Sequence, residues 1–192
     1  MKNFFLFLFL FLSFSQNILS EDLFTKLLVA SPNMPDPRFK ETVILMFYHN
    51  EEGAAGLVVN KPLSTILIIE LLKDNNITLP EKIAQNEITL YWGGPVNPER
   101  LFFIHSSDYK SSNPIFSSKN LIVTRSTEIL YDIATNNGPK KYLIVSGISA
   151  WDPGQLDFEI DQDGWDKKVN SYLSIFDNGN EMWDRIIHSR DI

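Results

Sequence analysis

The stretch HNEEGAAGLVVNKP, residues 49–62, sets an imidazole, two carboxylates, two glycines and a lysine close together in a chain of 192 residues. It can be read as a reaction site or as a hairpin, and the choice fixes the layout of the N-terminal half. TVILMFYH, just upstream, is aliphatic and aromatic in the manner of a buried strand, and GLVVN resumes that composition. Between them Asn50-Glu51-Glu52-Gly53 is polar and ends in the residue that tolerates the backbone angles of a tight reversal. Strand, turn, strand is the expected structure. The ends of the hairpin, His49, Asn60 and Lys61, become candidate walls of a pocket.

Upstream, LFTKLLVA reads as a strand, and SPNMPDPRFKE, with three prolines that a central strand does not accommodate, reads as the loop after it. Downstream, Ser64 is placed to cap a helix whose apolar face is Ile66, Ile69 and Leu72 with Leu67 and Leu71, ending at KDNN. EITLYWGG and RLFFIH read as strands around the turn GGPVNPE, and LIVT as another. Ser126 is expected to cap a helix that shows Ile129, Leu130 and Ile133 on one face and stops at Gly138. KYLIVSGIS is an apolar run suited to a strand buried on both faces. It leads into Asp152-Pro153, a helix start in which the carboxylate accepts unpaired amides and proline gives up a donor with no partner to lose. That helix carries Leu156 and Ile160 and stops at Gly164; NEMWDRIIHS, with Trp183, Ile186 and Ile187 inward, forms the last one.

At 44% hydrophobic and 12% aromatic residues, one domain over residues 21–192 is expected. The net charge of −7 and the lack of any basic run beyond Lys140-Lys141 and Lys167-Lys168 oppose direct nucleic-acid binding, which depends on clustered cations displacing counterions. The absence of cysteine excludes disulfides, thiolate metal sites and a cysteine nucleophile. Residues 1–20 have the layout of a secretory leader: Lys2, an apolar core from Phe4 to Phe14, then small and polar residues with cleavage expected after Ser15 or Ser20. The core is shorter than the roughly 20 residues of a membrane span, so no stable span is expected in the mature chain. A periplasmic or secreted product follows, the alternative being a cytoplasmic one.

The three histidines, His49, His105 and His188, lack helical ligand spacing, and no G-x-S-x-G elbow is present. Gly93-Gly94 lacks the lysine of a phosphate-binding loop and suits a turn. Residues 159–170, EIDQDGWDKKVN, place oxygen ligands and a glycine as a calcium loop does, but Asn170 stands where a bidentate glutamate belongs, and Asp166 fills a normally apolar position. No metal and no cofactor is expected.

LLVASPNMPDPRF, HNEEGAAGLVVNKPL, YWGGPV with RLFFIH after it, and SGISAWDPGQLDFEI followed by Trp165 and IFDNGNEMW stand in the order of the YqgE/AlgH family of bacterial proteins. The chain resembles that family from Phe24 to about Ile187. The resemblance implies an α+β fold with a mixed, bifurcated β-sheet partly rolled into a small barrel and flanked by helices. It implies no catalytic residues, since the family's members are described as transcriptional regulators without an agreed ligand, reaction or DNA-binding element. The leader departs from the family pattern, as do Ala150 and Asp152, where glycine is more usual. The function expected is non-catalytic binding or regulation with a small molecule or a protein as partner. The alternative is a small-molecule enzyme with a pocket at the strand ends formed by His49, Asn60, Lys61, Gly93, Gly94 and Trp151.

Overall fold

The computed structural model describes residues 26–83, 86–169, 175–176 and 181–188. The expected leader, its two expected cleavage points and Asn170 lie outside the described residues. Among the described residues ten strands form one sheet. β1 (Lys26–Ala30), β2 (Val43–Asn50) and β3 (Gly53–Val58) run antiparallel in sequence order. His49 pairs with Ala54 and Asn50 with Gly53, so residues 49–53 are a hairpin, its turn held by the Glu52 amide donating to Asn50 Oδ1 at 2.8 Å. The central strand is β9 (Tyr142–Trp151), the apolar run of the sequence.

The sheet forks along β9. Leu90 to Trp92 of β5 (Glu87–Trp92) run parallel to the first half of β9, while Ala54 to Gly56 of β3 pair antiparallel with its second half. On its other side β9 pairs with β6 (Val96–Ser106), which continues to β8 (Leu121–Thr124) and β7 (Pro114–Ser117). One branch thus runs β9-β3-β2-β1-β10, closed off by β10 (Trp165–Val169), and the other is the β5-β4 pair, with β4 at Pro62–Leu67. The architecture is α+β, mixed and bifurcated, and its strand path ends at β10 and β7 without closing.

Side-chain alternation explains the two cores of the long branch. Leu27, Val29, Val43, Leu45 and Leu57 face one cluster, completed by Met182 and Ile186 of α4 (Met182–Ile187). Leu28, Ala30, Ile44, Met46 and Val58 face the other, with Trp151 and Trp165. Burial on both faces is why Leu27–Ala30 of β1 and Val43–Phe47 of β2 are apolar throughout. A third cluster packs α1 (Ile68–Asp74) and α2 (Glu128–Ala134) over Phe103 and Ile144. Phe103 is fully buried, a contribution of about 2 kcal/mol.

Three local expectations need correction, and one strand was not expected. Ser64 caps nothing: residues 62–67 are strand β4, pairing Thr65 with Thr89, and the helix begins at Ile68. The β-branched Thr65 and Ile66 suit a pleated edge, and that pairing overrides the helical spacing. α2 begins after Thr127 and ends before Gly138, with Asn136 taking the left-handed conformation. Asp152 makes no side-chain cap; Gln155 Oε1 instead accepts the Asp152 amide at 3.0 Å, and α3 (Gln155–Asp161) starts after Gly154. Finally, WDKKV is strand β10 and pairs with all of β1.

Candidate functional site

The fork itself accounts for several of the sequence candidates. Gly93 donates its amide to the Ser146 carbonyl at 2.8 Å, and its own carbonyl accepts from Val58 N and from Ser149 Oγ at 3.0 and 3.1 Å. A Cβ on Gly93 would lie 2.2 Å from the Gly147 carbonyl oxygen, and one on Gly94 would lie 2.2 Å from the backbone of Ile148 and Ser149. Backbones therefore meet where β3, β5 and β9 part, leaving no room for a side chain. Asn60 is buried beside them; its Oδ1 accepts the Val43 amide and its Nδ2 donates to the Glu41 carbonyl, both at 2.8 Å. The Lys61 carbonyl accepts from Trp92 N at 2.8 Å. His49 Nε2 lies 3.3 Å from Asp157 of α3, within hydrogen-bond reach of a carboxylate that is more than half exposed.

Trp151 stands in a different setting. It ends β9 and forms, with Trp165 at the start of β10 and Phe39 from the β1–β2 loop, the wall of a cleft of about 380 Å³. The Trp151 and Trp165 rings meet edge to face at 5.9 Å and 82°, and Phe39 sits 5.5 Å from Trp165 at 71°. Such edge-to-face contacts are favoured by the ring quadrupoles. Trp92 closes the stack behind Phe39 at 5.3 Å. Helix α3 adds Gln155, Phe158 and Glu159 to the lining, with Gln162 just after it, and Phe158 is 65% exposed.

Glu159 holds the aromatic wall in place. Its Oε2 accepts both indole N–H groups, from Trp151 at 2.9 Å and from Trp165 at 2.8 Å, and its Oε1 accepts from Gln155 Nε2 at 2.8 Å. The backbone provides the geometry: Gly164 N bonds Glu159 O and Asp163, in the left-handed conformation, bonds Ile160 O, so the chain leaves α3 turned directly into Trp165. On the rim, Arg38 grips Asp36 through Nε and Nη2, with a shortest contact of 2.6 Å. That hydrogen bond holds the Asp36 carboxyl below the usual carboxylate range, against a smaller effect of burial.

Of the six sequence candidates, Trp151 lines this cleft; His49, Asn60, Lys61, Gly93 and Gly94 do not. Phe39, Glu159 and Trp165 were not singled out as pocket residues. A signal did exist for part of the set: Gln155 and Glu159 are one helical turn apart in a segment that begins and ends with tryptophan. Among the described residues no group of three or more His, Asp or Glu side chains could hold a metal ion, and no helix is long and apolar enough to cross a membrane.

Residues 27–192 match the family model described as AlgH-like, DUF179. A UPF0301 protein from Jannaschia sp. (strain CCS1) is 34% identical over 174 residues, covering 89% of this chain and 90% of the relative. Another from Ruegeria pomeroyi is 41% identical over 145 residues, covering 75% and 78%. The solution structure of the AlgH protein from Pseudomonas aeruginosa superposes with a TM-score of 0.72 at 32% identity, covering 88% of this chain and 90% of that one. A Corynebacterium diphtheriae crystal structure, at 20% identity and a TM-score of 0.61 over 86% and 85%, shares the fold.

Proposed function

The chain belongs to the AlgH-like family, and from that premise we propose that it is a non-catalytic binding protein whose ligand is a small, flat, uncharged molecule held in the aromatic cleft. The observation that carries this reading is a void of ligand size whose charged groups, Glu159, Arg38 and Asp36, already have partners. Its volume of about 380 Å³ falls within the range of small-molecule pockets. The Glu159 carboxylate is taken up by two indoles and an amide, and Arg38 by Asp36. A charged guest would lose hydration without gaining a free counter-ion, whereas a flat apolar one gains ring contacts and displaces water from aromatic surface.

The enzymatic alternative draws on the imidazole–carboxylate pair of His49 and Asp157. Neither residue lines the cleft, so substrate bound there would not meet that pair. Any regulatory role would act through the ligand or a protein contact, because the net charge of −7 opposes duplex binding. We further propose that the leader exports the protein to the periplasm, as opposed to the cytoplasm. N-terminal sequencing from osmotic-shock and cytosolic fractions tests this: a chain starting near Ser15 or Ser20 in the shock fluid agrees with export, and intact Met1 in the cytosol contradicts it.

The binding proposal is tested with indole and 2-naphthol as probes in thermal melts. A saturable rise in Tm is expected, since a ligand at about 100 times its dissociation constant adds about 2.7 kcal/mol. Ala150→Phe, which places a ring into the cleft, should abolish the rise while leaving the ligand-free melt intact. No rise with either probe, or a rise that survives Ala150→Phe, would overturn the proposal.

A further inference from the structure

A second concavity shares no lining residue with the aromatic cleft. It is an open groove of about 700 Å³ bounded by Arg100 of β6, Ser112 before β7, and Arg125 and Ser126 between β8 and α2. Its chemistry is the reverse of the cleft's. Arg100 and Arg125 are both exposed, and among the described residues neither guanidinium has a hydrogen bond or an ion pair. The chain has 24 acids to 17 bases, so unpaired arginines are not explained by a shortage of carboxylates. Two acids line the same groove. Glu128 is engaged within the groove: its Oε2 accepts from Ser112 Oγ at 2.8 Å and Ser126 Oγ at 3.2 Å. Glu99 lines the groove without bonding either arginine.

We propose that this groove binds the phosphate group of a small organic phosphate, with Arg100 and Arg125 as its two cationic contacts. Each guanidinium is a planar fork whose parallel N–H groups match two oxygens of a phosphate, and two forks facing one concavity can share a tetrahedral anion. The volume exceeds what a phosphate alone fills, leaving room for the organic part. Ser112 and Ser126 lie within the same lining, but their hydroxyl protons are committed to Glu128, so the arginines are the donors. Glu99 and Glu128 oppose an anion by their charge.

The test is titration of the full chain with inorganic phosphate and with glycerol 3-phosphate at constant sodium chloride, read by the arginine Nε–H NMR signals. Saturable shifts of the Arg100 and Arg125 signals are expected with both probes. Arg100→Gln and Arg125→Gln should each weaken binding about tenfold or more, while Arg38→Gln, whose guanidinium is already paired, should not. Unchanged or tighter binding in Glu99→Gln agrees with recognition by the arginines. Melting curves confirm that these exposed substitutions leave the fold intact. The proposal is overturned by shifts that do not saturate, by an equal loss in Arg38→Gln, by binding that survives removal of both arginines, or by weaker binding in Glu99→Gln.

Discussion

The sheet fork and the aromatic cleft both lie along β9, yet they use their polar groups in opposite ways. At the fork, Asn60, Gly93 and Ser149 bond to backbone, and the glycines leave no space even for a methyl group. At the cleft, side chains bond to side chains, Glu159 to two indoles and Arg38 to Asp36, and a void of about 380 Å³ remains between the walls. Polar residues drawn together in sequence can thus be architecture, while a site can be built from aromatic residues far apart in it. Substitutions at the fork should therefore act on stability, and substitutions at the cleft on binding.

The largest expected effect is that of Gly94→Ala. Its Cβ would meet the backbone of Ile148 and Ser149 at 2.2 Å, at a φ of 151° that side chains rarely adopt. A loss of more than about 4 kcal/mol is expected in chemical denaturation, enough to unfold a marginal domain. A near-normal melt would break the architectural reading of the fork. Asn60→Ala comes next, at about 2–3 kcal/mol, because the buried Val43 amide loses its acceptor. Glu159→Ala should cost only about 1–2 kcal/mol, since its site is partly open to water, but it frees both indoles and should abolish probe binding.

The smallest effect concerns pH. His105 is buried on β6, with its ring nitrogens bonded to the Ser106 carbonyl at 2.9 Å and to Ser111 Oγ at 3.2 Å. Burial lowers its pKa from the ordinary 6.5, against smaller opposing effects of the Ser106 carbonyl and Asp108. The unfolded chain then binds the proton more readily than the folded one, so this contribution is complete above about pH 6.5 and is lost as pH falls through the folded value. Tm should decline below pH 6.5 and the decline should shrink in His105→Gln. The cleft lining contains no histidine, so the probe dissociation constant should stay level between pH 7 and 6.

The hairpin was legible because a polar tetrad ending in Gly53 interrupts two apolar runs, and β9 because its run is bounded by lysines and leads into a helix start. β4 was not. Ile66, Ile69 and Leu72 satisfy a helical period, and only the pairing with β5, which no local pattern encodes, makes the first of them a strand residue. β10 was missed for the same reason: WDKKV becomes a strand through its register with β1. At the cleft, Glu159 stands where a calcium loop would begin with aspartate, and its carboxylate accepts hydrogen bonds from two indoles. Trp151 was recognisable from its place at a strand end, but Phe39 reaches the cleft, against Trp165, through a proline-rich loop whose path depends on tertiary packing.

The most direct test uses the indole N–H signals of ¹⁵N-labelled protein during titration with indole or 2-naphthol. Trp151 and Trp165 wall the cleft, whereas Trp183 donates to the Ala30 carbonyl at 2.7 Å and packs with the other core. Saturable shifts of the Trp151 and Trp165 signals, with Trp183 unmoved, are the result expected. Probes that bind while leaving Trp151 and Trp165 in place, or that move all the indoles alike, would contradict a ligand site in the aromatic cleft.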